Sequence, residues 1–110
     1  MFKKVMAAAL ATALCAGHTH AGENVTLTLG RLGPSISGAF IEQQITVTNN
    51  TNQIVQTVEI ECGFFHGAQL VDTTRMTARN IPPSTQAYVS VIADRKNQPD
   101  SAKCRIYRVD

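Results

Sequence analysis

Tryptophan is absent from the 110-residue chain, which excludes a core built on an indole packed against a disulfide. Neither G-x-G-x-x-G nor G-x-x-x-x-G-K-[ST] occurs, so there is no glycine-rich cradle for a phosphate. The apolar run near the start, Val5 to Ala16, is too short and too rich in alanine for a membrane-spanning helix, which needs about 20 apolar residues. No internal repeat, low-complexity tract or long linker divides the sequence.

That short run has another use. It follows Lys3 and Lys4 and precedes Thr19-His20-Ala21, which places small residues at the two positions a signal peptidase inspects. A basic start, a short apolar stretch and such a site form the pattern of a secretory leader, residues 1–21. Cleavage after Ala21 is preferred, with Ala16 and Gly17 as alternatives. Leu14 before Cys15 does not suit lipid modification, so Cys15 is an apolar member of the leader. Both excess cations, Lys3 and Lys4, lie in the leader, and residues 22–110 are charge-balanced. Basicity that disappears on processing is no footprint for nucleic acid. The surviving cluster Lys103, Arg105 and Arg108 reads as the solvated face of a last strand.

Of three cysteines, Cys62 and Cys104 remain after the leader. In an exported chain two cysteines most simply form one disulfide. Periodicity points to strands throughout. Val25 to Leu29 alternates strictly. Gly30 to Gly38 reads as a loop or broken edge segment. Ile41, Gln43, Ile45 and Val47 share a face, with Gln43 out of keeping, and Asn49 to Asn52 forms a polar turn. Ile54 to Phe65 is the strongest strand, with Ile54, Val58, Ile60, Cys62 and Phe64 inward and Thr57, Glu59 and Glu61 outward.

His66 to Gln69 is a hairpin connection into an edge strand from Leu70 to Thr77. Asn80 to Ser84, with two prolines, is a crossing between sheets. Gln86 to Ala93 and Lys103 to Val109 complete the set, with Cys104 and Ile106 inward. Both cysteines therefore lie on inward faces, as a buried disulfide requires. About seven short strands at regular spacing describe an all-β, immunoglobulin-like antiparallel sandwich over residues 22–110.

The segment Val58 to Val91 resembles the small bacterial envelope domains known for an F-x-L-Y-D strand motif. Phe64-Phe65-His66 stands at the aromatic pair and acid, Leu70-Val71 follows the turn, and Ile81-Pro82-Pro83-Ser84 stands at the later bend. His66 replaces the acid and Ser84 stands where glycine is usual. The resemblance covers about half of the processed chain and implies a sandwich and export. It implies no activity, because function does not follow from fold.

No catalytic set emerges. His66 is the single histidine after Ala21 and falls on a hairpin tip, with no serine fixed beside it. Glu59 and Glu61 share an outward face, which suits a solvated surface better than a cleft. A metal site, and with it an envelope metal-handling role, arises only if cleavage follows Ala16, exposing Gly17-His18-Thr19-His20. Asn24-Val25-Thr26 and Asn49-Asn50-Thr51 fit the glycosylation pattern by chance in a bacterial setting. Outward aromatics remain, and Phe65, Tyr88 and Tyr107 are the candidate binding surface. The sequence thus predicts a periplasmic or secreted, non-catalytic binding module with one disulfide, no cofactor, and a protein partner in the envelope or outside it.

Overall fold

The computed structural model describes residues 24–110. The leader, its alternative cut sites, Cys15 and the pair His18 and His20 lie outside the described residues. Among the described residues the chain forms two antiparallel three-stranded sheets. β1 (Val25–Pro34), β2 (Phe40–Asn49) and β5 (Gln86–Asp94) make one, in the order β1-β2-β5. β3 (Val55–His66), β4 (Gln69–Ile81) and β6 (Ser101–Val109) make the other, in the order β4-β3-β6. First, second and fifth strands on one side and third and sixth on the other is the immunoglobulin distribution. β4 here joins β3 instead of β5's sheet.

The sandwich has six strands among the described residues, where about seven were expected. The stretch after Gly30, expected as a loop or separate edge piece, continues β1 to Pro34. Two residues, Gly30 and Arg31, oppose Gln44 between the pairs Leu29↔Ile45 and Leu32↔Gln43. This is a β-bulge, one extra residue that bends an edge strand. It turns both Leu29 and Leu32 toward the core, three positions apart. Gln43 is buried, and its Nε2 donates to the carbonyls of Gly30 (3.0 Å) and Gln44 (2.8 Å). The residue out of keeping on the apolar face of β2 thus serves the irregular backbone beside it.

The same device recurs in the other sheet. At the start of β3 the N–H groups of Gln56 (2.9 Å) and Thr57 (3.3 Å) both donate to the carbonyl of Asp110. Two residues sharing one acceptor again bulge the strand, so Val55 and Val58 are both buried. Ile54, expected inward by strict alternation from Val58, is instead 52% exposed. In β6 Tyr107 is the extra residue between the pairs Glu59↔Arg108 and Ile60↔Ile106, and Ile106 and Val109 both pack on the core.

Between the sheets lie Leu27, Ile45, Val47, Ile60, Phe64 and Val91, all at 1% exposure or less. Each such side chain contributes about 1.5–3 kcal/mol through removal from water. Cys62 and Cys104 are bonded (S–S 2.04 Å) and face directly across the β3–β6 ladder, with Cα atoms 4.0 Å apart. The bridge points into the core yet links neighbours within one sheet, instead of joining the two sheets. It closes a loop of sequence separation 42, which removes about 4 kcal/mol of unfolded-chain entropy.

Asn49, expected in a polar turn, ends β2 and is fully buried. The crossing from β4 to β5 explains it. Asn80 and Ile81, expected in that crossing, belong to β4, and Pro82-Pro83 supplies carbonyls but no N–H donors. Asn49 Nδ2 donates to the carbonyls of Ile81 (2.9 Å), Pro82 (3.1 Å) and Gln53 (2.9 Å). Its Oδ1 accepts from Thr51 N (2.9 Å) and Thr51 Oγ1 (2.7 Å). One side chain therefore pins the β2–β3 turn to the crossing. Ser84, at the end of the bend, has φ 57°, a left-handed conformation that glycine adopts most readily.

Candidate functional site

The outer face of the β4-β3-β6 sheet is laid out in rows across the three strands. Thr77–Glu59–Arg108 is followed by Arg75–Glu61–Arg105, then Thr73–Gly63–Lys103, then Leu70–Phe65–Ser101. Alternation puts these positions outward because Ile60, Cys62 and Phe64 are inward. The first two rows are ionic and the last two partly apolar.

Glu61 sits between two guanidinium groups. Arg105 Nη2 lies 2.9 Å and Arg75 Nε 3.3 Å from its carboxylate. The hydrogen bond from Arg105 is the largest cause holding its carboxyl below the usual range, and the Arg75 hydrogen bond acts in the same direction. Arg108 pairs with Glu59 at 3.4 Å and with Asp110 at 3.0 Å. Lys103 and Arg79 have no carboxylate partner among the described residues. The cluster Lys103, Arg105 and Arg108 is indeed a strand face, but one laced to the glutamates of the neighbouring strand.

Gly63 interrupts this face on the central strand. A Cβ there would lie 3.0 Å from Leu70 Cδ1 and 3.4 Å from the Phe65 ring. Leu70 and Phe65 thus lean over the missing side chain. They leave a dimple of about 230 Å³ bordered by Glu61, Thr73, Lys103 and Arg105. Leu70 is 53% exposed. The Lys103 ammonium stands 5.3 Å from the centre of the Phe65 ring, within reach of a cation–π attraction. A tight hairpin sets Leu70 opposite Phe65: Gly67, with φ 59°, takes the first central position of the Gly67-Ala68 turn, as a II′ turn requires. Val71, the extra residue of a bulge between Phe64 and Phe65, packs on the core while Leu70 stays outside.

The three candidate aromatics do not form one patch. Phe65 and Tyr107 share this sheet's outer face, but Tyr107 lies six positions along β6 from Ser101, which pairs with Phe65. At strand rise that is roughly 20 Å. Tyr107 is half-buried under the Arg75 guanidinium, 5.1 Å from its ring centre. The Glu59 carboxylate is the largest cause raising its phenol above the ordinary range, with burial as the next. Tyr88, 76% exposed, projects from β5 on the other sheet, pairing with Thr46. It overhangs a trough of about 470 Å³ lined largely by Glu42, Gln44, Thr46 and Ser90.

His66 lies on the hairpin tip, exposed, its Nδ1 2.8 Å from the carbonyl of Gln98 and 3.8 Å from Asp100. That carbonyl can only accept, so Nδ1 carries the proton. Asp100 also accepts from Gly67 N at 3.1 Å, so the group ties the hairpin to the β5–β6 loop. Among the described residues no three His, Cys, Asp or Glu side chains gather as metal ligands, and no helix is long and apolar enough to cross a membrane. What sequence reasoning missed is the dimple itself. Leu70 was placed on an edge strand and Gly63 in a strand, and only the hairpin register brings them together. No family model matches the chain, and neither the curated proteins nor the solved structures contain a match to it.

Proposed function

We propose that the chain is an exported, non-catalytic binding module that engages a protein partner through the outer face of β4-β3-β6. The leader pattern and the cysteine pair support an oxidising compartment, the periplasm or the exterior. The observation that carries the reading is the dimple at Gly63, where Leu70 and Phe65 leave an apolar recess beside cations on an otherwise polar face. Exposed apolar side chains around a recess with a polar rim are the anatomy of an interaction site. The likeness to F-x-L-Y-D envelope domains agrees with a sandwich and export. Only Phe65 of the three aromatics named from the sequence borders this recess.

A photoreactive residue at Leu70 in the protein exported by its natural host tests the proposal, with one at Thr46 on the opposite sheet as control. The expected result is a discrete crosslinked adduct from position 70 and none from 46. Equal labelling from both positions, or none from either, contradicts the assignment.

A further inference from the structure

Resting on that reading, we infer that the Gly63 recess takes an apolar side chain from an acidic segment of another polypeptide, with Lys103 and Arg105 receiving the two carboxylates next to it on the same side of the segment. Size sets the class of occupant. At about 230 Å³ the recess is smaller than the roughly 300–1,000 Å³ usual for cofactor or drug-sized ligands. It admits a side chain, and it lies open on a sheet face instead of inside a cleft.

Charge sets the chemistry around that side chain. Arg75 and Arg105 share the single carboxylate of Glu61, and Lys103 on the rim has no carboxylate partner among the described residues. The border of the recess, with Lys103 and Arg105 against Glu61, is therefore short of negative charge. A second copy related by a two-fold axis through the recess does not supply it, since that arrangement sets Lys103 and Arg105 near their own images, and like charges in register repel. A long polyanion or an anionic membrane fits poorly too. Glu59 and Glu61 occupy the central strand and divide the cations into two columns, so an extended negative surface would meet carboxylates along its middle.

An extended peptide meets this layout without conflict. Lys103 and Arg105 are two residues apart on one strand, about 6.8 Å, which is also the spacing of same-side positions in an extended ligand. A Leu-Gly-Glu-Gly-Glu core presents its leucine and both glutamates on one side, with the two glutamates at that same spacing.

The test uses the oxidised protein secreted with its own leader, observed by amide NMR. It is titrated with a nonapeptide, Gly-Ser-Leu-Gly-Glu-Gly-Glu-Ser-Gly, and with its Gln and Lys counterparts. The expected result is that the Glu peptide shifts the amides of Gly63, Leu70, Lys103 and Arg105, and does so more weakly as salt rises. Lys103→Glu, checked for an otherwise native spectrum, should weaken the effect at least tenfold, and Glu61→Gln should strengthen it. Equal shifts from the Gln peptide overturn the acidic assignment while leaving the crosslinking site standing. Tighter binding of inorganic polyphosphate or of phosphatidylglycerol vesicles to the same amides overturns the peptide as occupant. Shifts confined to the other sheet, or none with any peptide, overturn the recess as the docking point.

Discussion

Replacing Asn49 by alanine removes the one amide that serves both the β2–β3 turn and the proline-rich crossing. Three carbonyls lose their shared donor and Thr51 loses its acceptor. The bond to the Ile81 carbonyl is fully buried, so its loss leaves an unsatisfied acceptor at about 1–3 kcal/mol. The others are partly buried or near solvent and contribute less, about 0.5–1 kcal/mol each where water cannot enter. The expected loss is about 3–4 kcal/mol in all. A domain of this size has a net stability of roughly 4–13 kcal/mol, so the variant gives up a large fraction of it. Its midpoint should fall by roughly 12–30 °C.

Asn49→Asp separates charge from shape. A carboxylate at the same place directs oxygen at three carbonyl oxygens, so burial and repulsion raise its folded-state pKa above the unfolded value of about 3.9. The folded state then binds the extra proton, so stability is highest at low pH and is lost as pH rises through the raised pKa. Urea unfolding followed by far-UV circular dichroism at pH 4 and pH 7 measures both variants. An alanine variant within about 1 kcal/mol of the parent, or an aspartate variant with no added pH dependence relative to the parent, refutes the role given to this amide.

Three further outcomes follow from the geometry. Cys62→Ala combined with Cys104→Val should lower stability by about 4 kcal/mol while keeping the strand register, because the lost constraint acts on the unfolded chain; an unchanged urea midpoint contradicts this. Ser84→Gly should relieve about 1–2 kcal/mol of left-handed backbone at φ 57° and give back about 0.4–1 kcal/mol in unfolded-chain entropy, a net gain of up to about 1 kcal/mol read from the same melts. Ultraviolet titration should show the phenol of Tyr107 ionising above the ordinary tyrosine range, and Glu59→Gln should bring it down, since that carboxylate is the main cause of the rise.

How far the fold can be read from the chain depends on where alternation survives. Leu27, Val47, Cys62, Phe64 and Val91 lie on strict period-2 faces, and all are buried as their spacing dictates. Leu29 with Leu32, Val55 with Val58, and Ile106 with Val109 are inward pairs three apart, produced by bulges. Period-2 reading carries no record of a bulge, so it put Ile54 inward and broke β1 at Gly30. Asn49 was legible as polar, but its carbonyl partners at Ile81 and Pro82 lie more than thirty residues away. The same distance problem hid the site. Phe65 and Tyr88 look equivalent as outward aromatics, and only the pairing of β5 with β2 sends Tyr88 to the other sheet. The pairing of the cysteines was readable from compartment and count. That they oppose one another within a sheet required the register of β3 against β6.

The proposed binding role depends on export and on closure of the chain by one internal bridge. Intact-mass analysis of the protein isolated from its natural host, with and without thiol alkylation before reduction, measures both at once. The account predicts a chain starting at Gly22 that takes up no alkylating agent until reduced. A mass that retains residues 1–21, with Cys62 and Cys104 alkylated without reduction, contradicts it.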